Sequence, residues 1–439
     1  MHPNRTLLLA VTGMSPAIIT ETLYGIDRNG DEWPKEIQVI TTSKGKDKIY
    51  EGLITNKHLD NLCQELRKPK IPFSDAHILV VPDAQGLPVE DARSLEDHEA
   101  LANFIMTTVR DATTNDATRI HASIAGGRKT MTFYLGYAMS LFGRHFDKLS
   151  HVLVSEGFES CPEFFYPTRE DHTVISHAKK ELNAKDAEVT LADIPFIRQR
   201  SLMPDLIKRV EGTINFRHLV DLINLGEQPE AIELHISPYS TEQQLVVKNR
   251  YSQQDLATVN FKNLLHWSLY LLILEDTVRD PDEREEYAAP KTGERDDAFG
   301  LILLMKLSQL SKVDTPDGDF ESTADNLLND VELTGPANLR RTLESLKKTG
   351  FTSKNFSTYL NTIKKELAAE LPANLVQQLM PQQMDQNLTD EELSIRNDKK
   401  KSGANSSRQK TATGQKGGQP YILHLPDPQL QIIIHNETQ

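Results

Sequence analysis

The sequence predicts an α/β protein: a doubly wound, mostly parallel sheet over residues 1–190, then a connector and a mainly helical, winged-helix-like C-terminal domain. Three observations carry this. Short apolar runs able to form strands alternate with longer stretches of helical periodicity as far as Ser155, the pattern of βαβ units. The alternation stops at "LADIPFIRQRSLMPDL" (191–206), where Pro195 and Pro204 bracket an extended apolar segment. Beyond Gly226 the pattern changes to a short hairpin followed by long apolar helices.

In chain order, strands are expected at Thr6–Val11, Ile37–Thr42, His77–Val81, Arg119–Ile124 and Leu149–Ser155. Helices are expected between them at Ala17–Arg28, Lys46–Leu66, Leu95–Ala112 and Lys129–Phe142. Spacers of that length allow parallel crossovers. Residues 191–225 read as the connector and 226–439 as the second domain. There, "LVVKNRYSQQDLATVNFKNLLHWSLYLLILEDTV" gives a hairpin and a strongly apolar helix, and residues 281–297 form a polar insertion. Further helices are expected at Phe299–Leu310, Ala337–Lys348 and Asn355–Leu371. The lysine-, serine- and glycine-rich tract 397–419 has almost nothing to bury and is expected to be flexible. The tail "PYILHLPDPQLQIII" alternates apolar residues and suggests a terminal hairpin. Hairpin, helices, hairpin is the outline of a winged-helix unit.

Composition narrows the function. The 439 residues are 38% hydrophobic and 26% charged, with a net charge of −14. Such an acidic chain is ill suited to wrapping long nucleic acid, which requires many phosphates to be neutralised. One local cationic spot for a small anion remains open. No apolar run reaches transmembrane length, and "MHPNRTLLLAVTGMSP" reads as a first strand rather than a signal peptide. The expected location is the cytoplasm, with no membrane partner. Two cysteines, Cys63 and Cys161, are too few for a zinc site and fit a reducing compartment.

In doubly wound sheets, ligands sit beyond the carboxyl ends of the strands. Two such ends stand out. Strand one runs into Thr12-Gly13-Met14-Ser15-Pro16, with Ser15 placed as an N-cap and Pro16 at the first helical position. Strand four runs into Gly126-Gly127-Arg128-Lys129-Thr130. A third junction, where Thr42 and Ser43 leave strand two, is weaker. Glycines admit a ligand close to the backbone, free amides at a helix start favour an anion, and the two cations suit a phosphodiester. Bland alternatives stand beside this. Thr12 and Ser15 can simply cap a helix. Arg128 and Lys129 can be a solvated first turn, although cations there oppose the helix dipole. His121 reads as a strand residue. A Walker A loop is not formed, because Arg128 and Ser123 stand where its glycines belong, and no Gly-x-Gly-x-x-Gly follows strand one.

"LLLAVTGMSPAIITETLYGI", "IHASIAGGRKTMTFYLGYAMSLFGR" and "IPFIRQR" together resemble the CRISPR-associated ring nucleases built on a CARF (CRISPR-associated Rossmann-like fold) domain, over about residues 5–205. The resemblance implies a Rossmann-like homodimer that binds cyclic oligoadenylate, above all the tetra-adenylate ring. It also implies cleavage of that ring with no metal or cofactor, which ends antiviral signalling. On matching positions it makes Ser15 and Lys129 catalytic. Thr12, Gly13, Gly126, Gly127, Arg128 and Thr130 would hold phosphates and adenylates, with Met14, Thr42 and Ser43 lining the same rim.

Many relatives add a ribonuclease domain marked by arginine, four to six residues, then histidine. Across 206–439 no such spacing exists, since His218, His235, His266, His424 and His435 all lack the arginine. Arg93–His98 and Arg144–His151 have the spacing but lie in the first domain. Three readings follow: a ring nuclease; a sensor whose C-terminal half binds DNA or a protein; and an unrelated nucleotide-binding enzyme.

Overall fold

The computed structural model describes residues 3–159, 161–176, 178–200, 215–238, 242–315, 318–330, 337–384 and 419–435. The basic tract 397–419 lies outside them apart from its last residue. The chain divides into two compact units, Met1–Met203 with Ile207–Leu219, and Pro204–Leu206 with Val220–Gln439.

The first unit is built on β1 (Arg5–Val11), α1 (Ala17–Arg28), β2 (Glu36–Thr41), α2 (Ser43–Ile49), α3 (His58–Leu66), β3 (Ile78–Val80), α4 (Leu95–Ala112), β4 (Thr118–Ser123), α5 (Lys129–Phe142) and β5 (Lys148–Val154). A small hairpin, β6 (Thr173–Ile175) and β7 (Glu181–Asn183), precedes β8 (Val189–Asp193). The six-stranded sheet has the order β3-β2-β1-β4-β5-β8. Every pairing is parallel except β5 with β8. Thus Leu191–Asp193, expected in the connector, instead finish the edge strand of the sheet. Residues beyond it stay with this unit: Arg198 donates to the carbonyls of Arg144 and Asp147 at 2.9 and 3.0 Å.

The central strand explains the layering. Six of the seven β1 residues, Thr6 to Val11, are buried. A strand buried on both faces needs cover on both. Leu8 and Ala10 enter a core with Ile19, Leu23 and Ile26 of α1 and Leu59 and Leu62 of α3. Leu7, Leu9 and Val11 point the other way and are equally buried. Right-handed crossovers place α4 and α5, which pack on one another, over that second face.

The expected helix Lys46–Leu66 is in fact broken. It begins earlier, at Ser43, passes through a π-helical stretch Tyr50–Thr55 and stops at Lys57, whose φ is +57°. The π segment brings Gly52 against the Pro16 and Phe165 rings, where an added Cβ would lie 3.0 and 3.1 Å away. Periodicity alone carries no signal for such a register change.

In the second unit β9 (Ile232–Ile236), β10 (Gln244–Asn249) and β11 (Gln254–Asn260) form an antiparallel meander. The apolar helix Leu264–Val278 follows, then helices Asp297–Ser311, Phe320–Asn329, Ala337–Thr349 and Ser353–Glu370. Trp267, Tyr270, Phe299, Phe351 and Phe356 fill their common core. The expected terminal hairpin does not form. After β12 (Gln382–Gln383), strand β13 (Tyr421–Ile422) pairs with β12, while β14 (Ile432–Ile434) adds to β9 in parallel. A single turn of helix, Pro428–Gln431, separates β13 from β14. The Gln431 amide then locks that turn by donating to the Pro229 and Ile232 carbonyls. No helix among the described residues is long and apolar enough to cross a membrane.

Candidate functional site

The strand order reverses between β1 and β4, the topological switch point where open α/β sheets bind ligands. Parallel registry puts Ala10 beside Ser123 and Val11 beside Ile40, so the loops after β1, β2 and β4 leave from one edge. These are the three junctions singled out from the sequence.

The first and third of them touch. A Cβ on Gly13 would lie 3.6 Å from the Gly127 Cα, and one on Gly126 would lie 3.1 Å from Thr12 Oγ1 and 2.9 Å from Ile18 Cδ1. Gly127 has φ +90°, a left-handed conformation that turns the chain into α5. The second junction closes in from the other side. A Cβ on Gly45 would fall 2.5 Å from the Gly13 carbonyl oxygen and 2.1 Å from Thr41 Oγ1. Gly45 is not among the residues singled out from the sequence. Its signal is a glycine in the first turn of a helix, where its low propensity needs a packing reason.

Individual side chains differ in how far they are committed. Thr12 is fully buried and donates to the Ser15 carbonyl at 2.8 Å, which pins the first turn. Ser15 is not the N-cap; that position belongs to Pro16, which has helical dihedrals and no side-chain cap bond. The Ser15 hydroxyl is therefore exposed and unpaired among the described residues. Met14 is exposed. Thr42 is the N-cap of α2, and Ser43 spends both its amide and its hydroxyl on the Val89 carbonyl, at 3.0 and 3.2 Å. That leaves Ser43 a strut for the neighbouring hairpin. Thr130 Oγ1 is buried without a hydrogen-bond partner.

The two cations diverge. Lys129 opens α5, is exposed, and has no ion-pair partner among the described residues. Arg128 precedes it with extended dihedrals, and its Nε and Nη2 both donate to Asp91 Oδ1, the former at 3.0 Å. Asp91 was not foreseen. The Arg128 and then the Arg93 guanidinium hold its carboxyl below the usual range. The amides of Gly13, Met14, Ser15, Gly126 and Gly127 meet no acceptor among the described residues. Free amides in two touching loops, with an exposed and unpaired lysine at the start of the following helix, are the groups an anion-attracting rim requires.

His121 does not belong to this rim. It is buried on β4, its Nε2 lies 2.8 Å from Ser150 Oγ, and burial pushes its pKa down to about 4. Arg144 is likewise structural, bound to Asp147 and to the Asn115 and Thr118 carbonyls, so its spacing to His151 carries no chemistry. In the second unit, His235 and His435 lack an arginine but meet each other, Nδ1 to Nε2 at 3.0 Å, with Glu233 on the far nitrogen of His235. No group of three or more His, Cys, Asp or Glu side chains able to share one ion occurs among the described residues.

Fold and rim together define an α/β domain whose candidate site lies at the switch point of a mostly parallel sheet. A family model described as CRISPR-associated protein NE0113 matches residues 15–225. That span begins at Ser15 and includes the Gly126–Thr130 loop, so over just under half of its length the chain is similar to a CRISPR-associated family. No curated protein matches it.

Proposed function

We propose that this chain is a ring nuclease that binds cyclic oligoadenylate, with the tetra-adenylate ring as its substrate, and opens it to linear adenylates ending in a 2′,3′-cyclic phosphate. The observation that carries the reading is the contact between the two glycine loops at the switch point, Gly13 against Gly127. It supports a shared rim on which a ribose–phosphate ring can be seated and strained. The family match over residues 15–225 supports a CRISPR-associated setting, and removal of a second messenger in type III defence is the role we propose within it.

Each linkage of the ring carries its own nucleophile. The ribose 2′-oxygen attacks the adjacent phosphorus, the bond to the 5′-oxygen breaks, and the 2′-hydroxyl proton passes to solvent while the 5′-oxygen gains one. Because the nucleophile is intramolecular, no metal-bound hydroxide is needed, and holding the three atoms in line supplies much of the rate. The free amides at Gly13–Ser15 and Gly126–Gly127 orient the phosphate. Lys129 stabilises charge on the phosphoryl or leaving oxygen, and the Ser15 hydroxyl fixes the linkage under attack. A two-fold homodimer suits the ring's symmetry, since each protomer offers the same loops to one half.

The test is incubation of purified protein with cyclic tetra-adenylate and excess chelator. Linear product with a cyclic phosphate end, lost in Lys129→Ala, is expected. Tight binding with the ring intact would replace this reading with a sensor in which the second unit, read from sequence as winged-helix-like, carries the output. Absence of binding would return the protein to the wider class of nucleotide-binding enzymes.

A further inference from the structure

We infer that Arg93 and Arg128, fixed by the one carboxylate of Asp91, form a second phosphate grip at the rim, so that the ligand engages it through at least two phosphates. The inference rests on the reading above and extends it to Arg93 and Asp91, which the resemblance did not mark.

The argument starts from how the carboxylate is used. Asp91 Oδ1 accepts from Nε and Nη2 of Arg128, and Oδ2 accepts from Nε of Arg93 at 2.8 Å. Each guanidinium is therefore held on its inner side. Nη1 and Nη2 of Arg93 and Nη1 of Arg128 have no acceptor among the described residues. A lone exposed Arg–Asp pair contributes little. One carboxylate serving two guanidiniums leaves the trio with net positive charge and gathers two planar donor groups about one point. That is the geometry suited to phosphate oxygens.

The scaffold beneath is also tied down. Asp91 ends a hairpin in which Asp83 accepts from the Gln85 and Leu87 amides at 2.9 and 2.8 Å, and Val89 donates to the Val81 carbonyl. Ser43 grips the Val89 carbonyl, and Lys44 pairs with Glu90 at 2.9 Å. On the other side the Arg93 amide donates to Asp97, within the capping box that opens α4. Arg128 directly follows Gly127, so this grip adjoins the loop amides. One phosphate on the amides and its neighbour on the guanidiniums is the arrangement that follows, and a mononucleotide would fill only half of it.

The experiment measures affinity of the full chain for fluorescent cyclic tetra-adenylate across a salt series. Arg93→Gln should weaken binding several-fold and reduce the slope of log affinity against log salt by about 0.7, the single-strand value for one lost phosphate contact. Arg93→Lys should restore the slope. Asp91→Asn keeps both cations but frees them. At about 0.3 M salt, where its added charge is screened, it should still weaken binding, with Asp91→Glu recovering part of the loss. Tighter binding by Asp91→Asn at that salt would make Asp91 a competitor for Arg128 and overturn the inference, as would an unchanged slope in Arg93→Gln. Tight binding without cleavage sinks the nuclease reading alone, whereas no binding by the wild-type chain sinks both.

Discussion

Substituting Gly45 by alanine tests the rim most directly, because the structure sets the size of the effect. The new methyl would stand 2.5 Å from the Gly13 carbonyl oxygen and 2.1 Å from Thr41 Oγ1. Non-bonded heavy atoms come to rest near ~3.5 Å, so the loop after β1 must retreat by roughly 1 Å. The Thr41 hydroxyl can rotate away, but the Gly13 carbonyl is backbone and moves only with its loop. Overpacking of this kind costs about 1–3 kcal/mol. For a unit of this size that lowers the melting midpoint by about 2–4 °C per kcal/mol. A ~1 Å displacement of a positioning group costs on the order of 10²-fold in rate. Gly136→Ala on α5 is the control. Its Cβ would meet only Leu149 Cδ2, at 3.9 Å, and removing a mid-helix glycine should add about 0.5–1 kcal/mol. Circular dichroism melts and turnover of cyclic tetra-adenylate read both variants. If Gly45→Ala melts and turns over like the wild type, the three loops do not share one rim and the site argued above is wrong.

Two further outcomes are expected. Ser15→Ala should slow single-turnover cleavage by roughly 10–100-fold while weakening affinity much less; equal losses in both would reduce Ser15 to a binding group. Glu21, buried on α1, has its carboxyl pushed up to about 8 by burial and secondarily by Glu159. A pKa raised above its ordinary 4.5 means that the stability from the neutral acid is complete below pH 4.5 and lost as pH rises through about 8. Glu21→Gln should therefore flatten the fall in unfolding free energy between pH 4.5 and about 8, a difference on the order of 5 kcal/mol, and parallel pH profiles would refute it.

How much was legible before the fold was known differs by residue. Helices α1, α4 and α5 begin and end where their periodicity and caps place them, and the five parallel strands shift by only a residue or two. Their signals are local: apolar spacing, Pro16 at a helix start, Gly126-Gly127 as a break. The Thr12–Pro16 and Gly126–Thr130 loops were visible for the same reason, since glycine and hydroxyl residues at a strand end have few uses. Ser15 was misplaced by one residue as a cap, because Pro16 can occupy either the cap or the first helical position. The terminal hairpin was misread because β14 follows β9 by 200 residues, and alternating apolar residues say nothing about which strand they will join.

Sequence by itself determined that this chain alternates strand and helix, that glycine and hydroxyl residues cluster at its strand ends, and that two cations follow a pair of glycines. Only the tertiary structure decided which of those ends meet. Strand order 3-2-1-4-5 places the topological switch point between β1 and β4, and that order comes from crossover packing across the whole unit. The same packing brings Asp91 and Arg93, from a hairpin with no motif of its own, onto Arg128. Charge pairing at 3 Å depends on how elements dock, and docking is set by burial spread over many residues rather than by the residues that pair.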